Sequence, residues 1–512
     1  MGIRMRKGYG ILSRTSQAMF RLKKGRDPGR GGRSQSDKVE LARVTSMDST
    51  WQPILEGEDA VRAAAAVTAV AEAIGDVPLQ AGAAGSPLAL GEAGVALLFE
   101  YLERARPDVG WGEIAQRRLE RAIEALAAAN PGASLYGGFT GLAWVVEHVQ
   151  DAPAEDEDPN EDVDAALLHL LGQTPWTGQF DLISGLVGFG VYAADRLPRP
   201  AAVACLEKVV EHLAEIAQPR PGGLGWHTSY DMLPAPNRPW YPRGVDNLGV
   251  AHGTPGVIAL LARIRASGVA AERSLSLLRG AAGWLLTQKL PAGAESVFPY
   301  VTGPEVKIRP ARAAWCYGDP GIAAALLAAG RSAGEPAWED VALALARAVA
   351  RRPPETCGVK DAGLCHGAAG LGHMLNRLYQ ATGDPELLAA SRAWFHRALD
   401  YWDPGQGIGG FLALSPVDDD FDELGWSEDP GFLTGSAGIA LALLAATSGI
   451  EPAWDRVLLL SPLPAGARAG GPGELRARGL VAAGHGTTAR PGSVTSRAES
   501  RKRDRGLIST CQ

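Results

Sequence analysis

Cysteine is scarce in this chain: Cys205, Cys316, Cys357, Cys365 and Cys511 are the five in 512 residues. That density excludes a disulfide-stapled scaffold, and in a reducing compartment it turns attention to metal binding or catalysis wherever Cys and His cluster. Long uncharged apolar runs are also missing, with one exception. Gly431 to Ile450 carries no charge, but it holds Thr434, Ser436, Thr447, Ser448 and four glycines. It reads as a buried helix behind its start motif rather than a membrane span. The first 46 residues contain no continuous apolar segment, which excludes a secretory signal there. These absences together predict a cytoplasmic protein.

Basic charge is missing from the middle of the chain. Residues 1–46 carry a net charge of +9 and residues 461–512 one of +6, so residues 47–460 carry −22. An acidic body argues against nucleic acid as the main partner. The two basic, Gly/Ser/Arg-rich ends lack a hydrophobic period and are predicted to be disordered. Met47 opens a segment of body-like composition, which makes it an alternative start of the protein. The predicted division is therefore an N-terminal extension over 1–46, a folded body over 47–460 and a tail over 461–512.

What the body does have is a repeat. Gly-x-x-Gly followed by an apolar run occurs seven times, beginning at Gly91, Gly138, Gly185, Gly253, Gly318, Gly367 and Gly435. The spacings are 47, 47, 68, 65, 49 and 68 residues. A unit of about 47 residues accommodates two helices and their connections, and the longer spacings leave room for inserted loops. Between the signatures lie amphipathic segments such as "WEDVALALARAVARR" (338–352), apolar on one helical face and charged on the other. The pattern predicts an all-α protein: seven helical hairpins closed into an α/α toroid, with apolar inner helices opened by Gly-x-x-Gly. The paired glycines are expected to let neighbouring backbones approach closely. Inner-helix N-termini gathered at one end of the barrel would suit an ion or a developing negative charge.

Three copies carry reactive side chains immediately before the glycine: "AHGTPG" with His252, "WCYGDPG" with Cys316 and Tyr317, and "CHGAAG" with Cys365 and His366. If equivalent loops converge, two cysteines and a histidine make a three-ligand metal site. Structural zinc normally takes four protein ligands, whereas three leave a position open for catalysis. His373 lies too far along its helix to join them, Cys357 is a spare ligand at best, and Cys205 reads as helix core.

These motifs, in this order and on Gly-x-x-Gly repeats, resemble the lanthionine synthetase C family, the cyclases of lanthipeptide biosynthesis. The resemblance covers roughly residues 50–460. It implies a seven-hairpin toroid with Cys316, Cys365 and His366 as ligands of Zn2+. It further implies His252 as acid/base, Asp181 of "FDLISGLVG" as its assistant, and Arg312 and Tyr317 as additional active-site residues. The implied reaction adds a peptide cysteine thiol to dehydroalanine or dehydrobutyrine, closing a thioether ring. Its implied partners are a dehydrated precursor peptide and a separate dehydratase, with peripheral membrane association in a biosynthetic complex also compatible. Two other readings stay open at this point. One is a carbohydrate-active toroid, which would use paired carboxylates and need no Cys-Cys-His set. The other is a family member that binds thiols or peptides, or scaffolds a complex, without closing rings.

Overall fold

The structure, a computed structural model, describes residues 51–79, 87–129, 132–150, 158–417 and 423–463. The two basic ends, including Cys511, lie outside the described residues. Fourteen α-helices occur among those described. Seven form an inner ring: α2 (Glu92–Ala105), α4 (Phe139–Val149), α6 (Leu186–Asp195), α8 (Thr254–Ala266), α10 (Asp319–Ala333), α12 (Ala368–Thr382) and α14 (Ser436–Thr447). Seven cover them: α1 (Gly57–Ile74), α3 (Trp111–Ala129), α5 (Glu161–Leu171), α7 (Pro200–Ile216), α9 (Ala271–Leu286), α11 (Pro336–Arg351) and α13 (Pro385–Asp400).

The layers follow from composition. Along α11 the buried residues are Ala342, Leu345, Ala346 and Val349, one helical stripe, while its charges stay outside. In α14 every residue from Ser436 to Ala446 is buried, because neighbours close around it on all sides. Each inner helix packs on the next, and α14 packs on α2, so the ring closes. The closure has a twist in chain order. The last inner helix, α14, is covered by the first outer helix, α1, so the two ends of the described chain build one hairpin between them.

The first glycine of every repeat is the N-cap of its inner helix. No side chain caps these helices. Instead the preceding loop doubles back: the N–H groups of Leu186, Val187 and Gly188 donate to the carbonyls of Gln179, Phe180 and Asp181. Those of Ala368, Ala369 and Gly370 donate to Asp361, Ala362 and Gly363, and the seventh repeat does the same onto residues 429–431. The second glycine sits where this return loop touches the helix; a Cβ on Gly141, Gly370 or Gly438 would collide with the carbonyl of the residue six positions back. The closely approaching backbone is therefore the repeat's own loop rather than a neighbouring helix. The same loops occupy first-turn N–H groups that were expected to face an ion. Whatever chemistry happens at this end falls to the side chains of the loops.

Among the described residues, strands occur only in the long connections that lead from an outer to an inner helix. β1 (Gln218–Arg220) pairs antiparallel with β2 (Gly223–Gly225); β3 (His227–Thr228), β4 (Val245–Asn247) and β5 (Val301–Thr302) form a small antiparallel sheet; β6 (Ala413–Pro416) pairs with β7 (Leu424–Ser427). They fill the three long repeat spacings and elaborate one end of the toroid. The interior is occupied by the chain's own C-terminal segment. Val457 accepts from Tyr136 Oη (2.9 Å), Leu458 from Trp315 Nε1 (2.9 Å), and Asp455 from His373 and Arg377. Only a central segment can reach side chains from so many repeats. Packing continues to Leu463, which is buried and accepts from Arg331 (2.6 Å).

Candidate metal centre and active site

The return loops are tied to one another in a circle. Two residues before the repeat glycine, Ala89 donates to Tyr136 (3.3 Å) and Tyr136 to Ile183 (3.3 Å); Leu182 then donates to Ala251 (3.1 Å) and Ala251 to Cys316 (3.4 Å). Trp315 donates to Cys365 (3.0 Å), Cys365 to Leu433 (2.7 Å) and Leu433 back to Ala89 (3.0 Å). This backbone girdle turns a position in the repeat into a position in space. Cys316 and Cys365, 49 residues apart in sequence, are neighbours in the girdle because both stand two before their glycine.

The ligand atoms of Cys316, Cys365 and His366 lie within 4.8 Å of one another. Both cysteines are buried and neither is in a disulfide. Nδ1 of His366 is buried and has no hydrogen-bond partner, which a buried imidazole tolerates poorly unless a ligand takes it. Two sulfurs and one nitrogen are the donor set of a zinc site, and three protein ligands leave a position open. The residues present therefore fit the ion. Arg312 brings Nη2 to 3.4 Å from the Cys316 sulfur, placing positive charge beside a ligand that must be deprotonated to bind metal.

One loop further round, His252 Nδ1 meets Asp181 Oδ2 at 2.6 Å. The other oxygen of Asp181 accepts from the Ser184 N–H (2.8 Å), which fixes the carboxylate. The Nδ1–Asp181 bond orients the imidazole ring. Tyr317 lies between the two groups, its ring centroid 6.3 Å from that of His252. His252, Tyr317 and His366 each stand immediately before the glycine of three consecutive repeats, so the girdle presents them side by side.

The family model described as lanthionine synthetase C-like protein matches residues 84–459. The chain belongs to the lanthionine synthetase C-like family. Among curated proteins of that kind, the nisin biosynthesis protein NisC of Lactococcus lactis subsp. lactis is 25% identical over 260 residues. That stretch is 46% of this chain and 60% of the relative's length. Among solved structures, one titled nisin cyclase superposes with a TM-score of 0.60 at 20% identity, over 74% of this chain and 92% of that one. The latter likeness is one of fold.

Within this lanthionine synthetase C-like chain the two other described cysteines are not part of the cluster. Cys357 is buried 3.8 Å from the Arg352 carbonyl, and burial pushes its thiol up to about 11. Cys205 is core of α7, its thiol pushed up by burial to about 12. His373 lies in the interior against Asp455 (2.8 Å). Two site residues escape the motif search, Asn247 and Tyr300. Asn247 Nδ2 donates to the Tyr317 hydroxyl at 2.9 Å, and the Tyr300 ring packs 5.6 Å from that of Tyr317. The available signal was the offset: Asn247 stands six residues before its glycine, as Arg312 does before Gly318.

Proposed function

We propose that this protein is a cytoplasmic, zinc-dependent peptide cyclase that adds cysteine thiols to dehydroalanine or dehydrobutyrine, forming the thioether rings of a lanthipeptide. The observation that carries the reading is a three-ligand Cys-Cys-His cluster beside an independent His252–Asp181 pair on the next loop of the girdle. Cys316, Cys365 and His366 would hold the zinc. When bound, zinc supplies the acidity that turns a peptide thiol, ordinarily of pKa about 8.5, into thiolate at neutral pH.

The protein's residues then account for the rest. The substrate sulfur bonds to the β-carbon of the dehydro residue, and the π electrons move toward the adjoining carbonyl as an enolate. His252, oriented by Asp181, acts as the acid that gives a proton to the α-carbon of the enolate and so completes the addition. Arg312 keeps the Cys316 side of the site electropositive. A substrate already dehydrated calls for a separate dehydratase as partner. Among the described residues no helix is long and apolar enough to cross a membrane, which is compatible with a cytoplasmic setting and with peripheral association in a complex.

The test uses the zinc-loaded protein and a synthetic peptide with one cysteine and one dehydroalanine. Ring closure changes no mass, so unreacted thiol is trapped by alkylation and the adducts counted over time. The protein is expected to remove the adduct far faster than a protein-free control. Thiol loss at the control rate would reject the cyclase reading.

A further inference from the structure

Arg352 follows α11 at its C-terminal end, where a basic side chain ordinarily turns back to the last carbonyls of its own helix. This one reaches elsewhere. Its Nη1 donates to the Ala311 carbonyl at 2.9 Å, 41 residues away in sequence, and its Nη2 donates to the carbonyl of Thr356. Thr356 closes the short 3-10 turn Pro354–Thr356, and its hydroxyl lies 3.4 Å from Arg352 Nε. The guanidinium therefore ties that turn to the chain entering the return loop of the fifth repeat.

Cys357 comes next and supplies a second tie. Its carbonyl accepts from the Ala313 N–H at 2.8 Å, and its buried thiol donates to the Arg352 carbonyl at 3.8 Å. Residues 311 and 313 are thus both held by one short segment, and Arg312 stands between them. Gly358 completes the fit. Its φ of +70° is one that side chains rarely adopt, and a Cβ there would sit 2.9 Å from Cβ of Arg312. Residues 352–358 therefore form a clip around the base of Arg312, and from that base the guanidinium reaches the Cys316 sulfur at 3.4 Å. An arginine side chain has many rotamers, so a fixed contact at its tip calls for a fixed base.

We propose that Arg352 is a positioning residue for the metal centre: through the 352–358 clip it fixes Arg312 in contact with the Cys316 ligand sulfur, and so tightens the hold of the centre on zinc. The inference rests on the zinc reading above. A group that hydrogen-bonds a metal ligand orients that ligand and strengthens the site, and its removal typically weakens metal binding about 10–100-fold. The clip also gives Cys357, which lies outside the cluster, a task of its own. Its thiol and its carbonyl lock the segment on which Arg312 depends.

The test measures zinc affinity by competition with a chromophoric chelator, alongside the melting temperature of the zinc-free protein. It compares wild type, Arg352→Met, Gly358→Ala, Arg312→Met and the doubles that join each clip variant to Arg312→Met. Arg352→Met removes the tie to Ala311. Gly358→Ala, at an exposed position, leaves every side-chain bond of the clip in place and presses a methyl against Arg312. Each single variant is expected to weaken zinc binding about tenfold. In the Arg312→Met background neither clip variant should cost anything further, because the contact it serves is gone. A clip that only stabilises the fold would lower the melting temperature and cost the same zinc affinity in both backgrounds, and that result would overturn the inference. Wild-type zinc affinity in Arg312→Met or in a folded clip variant would overturn it too. Should Arg352→Met not fold, Gly358→Ala decides alone. Wild-type protein that takes up no zinc would instead remove the metal reading beneath it.

Discussion

At the scale of single residues, the proposed function separates the site into a group that would hold metal and a group that would move a proton. His252 belongs to the second: its Nδ1 is engaged by Asp181 at 2.6 Å, and it stands on a different loop from the three ligands. His252→Asn should therefore keep one equivalent of zinc yet close rings on the order of 10²–10⁴-fold more slowly, the usual worth of a positioned acid or base. Zinc analysis alongside the thiol time course checks both halves; loss of zinc would make His252 a ligand. The cysteines, His366 and His252 were legible in the sequence because each stands at a fixed offset from a repeat glycine. Asn247 was not, because its offset of six residues from a repeat glycine gains meaning only once the side chains around it are placed. What Arg312 touches was equally hidden: its guanidinium reaches the Cys316 sulfur at 3.4 Å, a contact set by the turn of the return loop.

At the scale of elements, the C-terminal 3-10 segment Ala453–Leu458 is the floor beneath the girdle. Asp455 is fully buried and bonded to both His373 and Arg377. Burial works against its ionisation, but the Arg377 charge and the bonds from His373 and Arg377 outweigh it and hold the carboxyl well below its usual range. His373 is held neutral by burial, so the charge partner is Arg377. Asp455→Ala would leave that guanidinium with the half-exposed Glu451 as its remaining charge partner and should cost about 3 kcal/mol in urea unfolding at neutral pH. A carboxyl depressed in the folded state stabilises fully above its unfolded value, about pH 4, and loses that contribution as pH falls below it. The gap between wild type and Asp455→Ala should accordingly shrink in acid; a gap constant from pH 7 to pH 3 would contradict the assignment. The seven inner helices were readable from glycine spacing and apolar runs. This floor was not, since a short Trp- and Asp-containing segment near a chain end resembles a linker until its partners from other repeats are known.

At the scale of the whole molecule, the ring is closed by a hairpin made from both ends of the body. Removing residues 1–74 would strip α1 from α14 and uncover a helix buried from Ser436 to Ala446, so that truncation should aggregate. Removing only 1–46 and 464–512 should leave a protein with wild-type melting temperature and activity, because Trp51 and Leu463 remain to pack at the two limits. Circular permutation between α14 and α1 was beyond the sequence pattern, which shows seven glycine signatures but not which outer helix covers the last. In the proposed function this ring gathers Cys316, Cys365 and His366 into a zinc centre that drives thioether closure. The measurement that reaches it most directly is the rate of thiol loss from a dehydrated cysteine peptide with metal-stripped protein, before and after zinc is restored. Stripped protein is expected to close rings at the protein-free rate and to recover fully at about one zinc per chain; unchanged closure by the stripped, folded protein would remove zinc from the reaction.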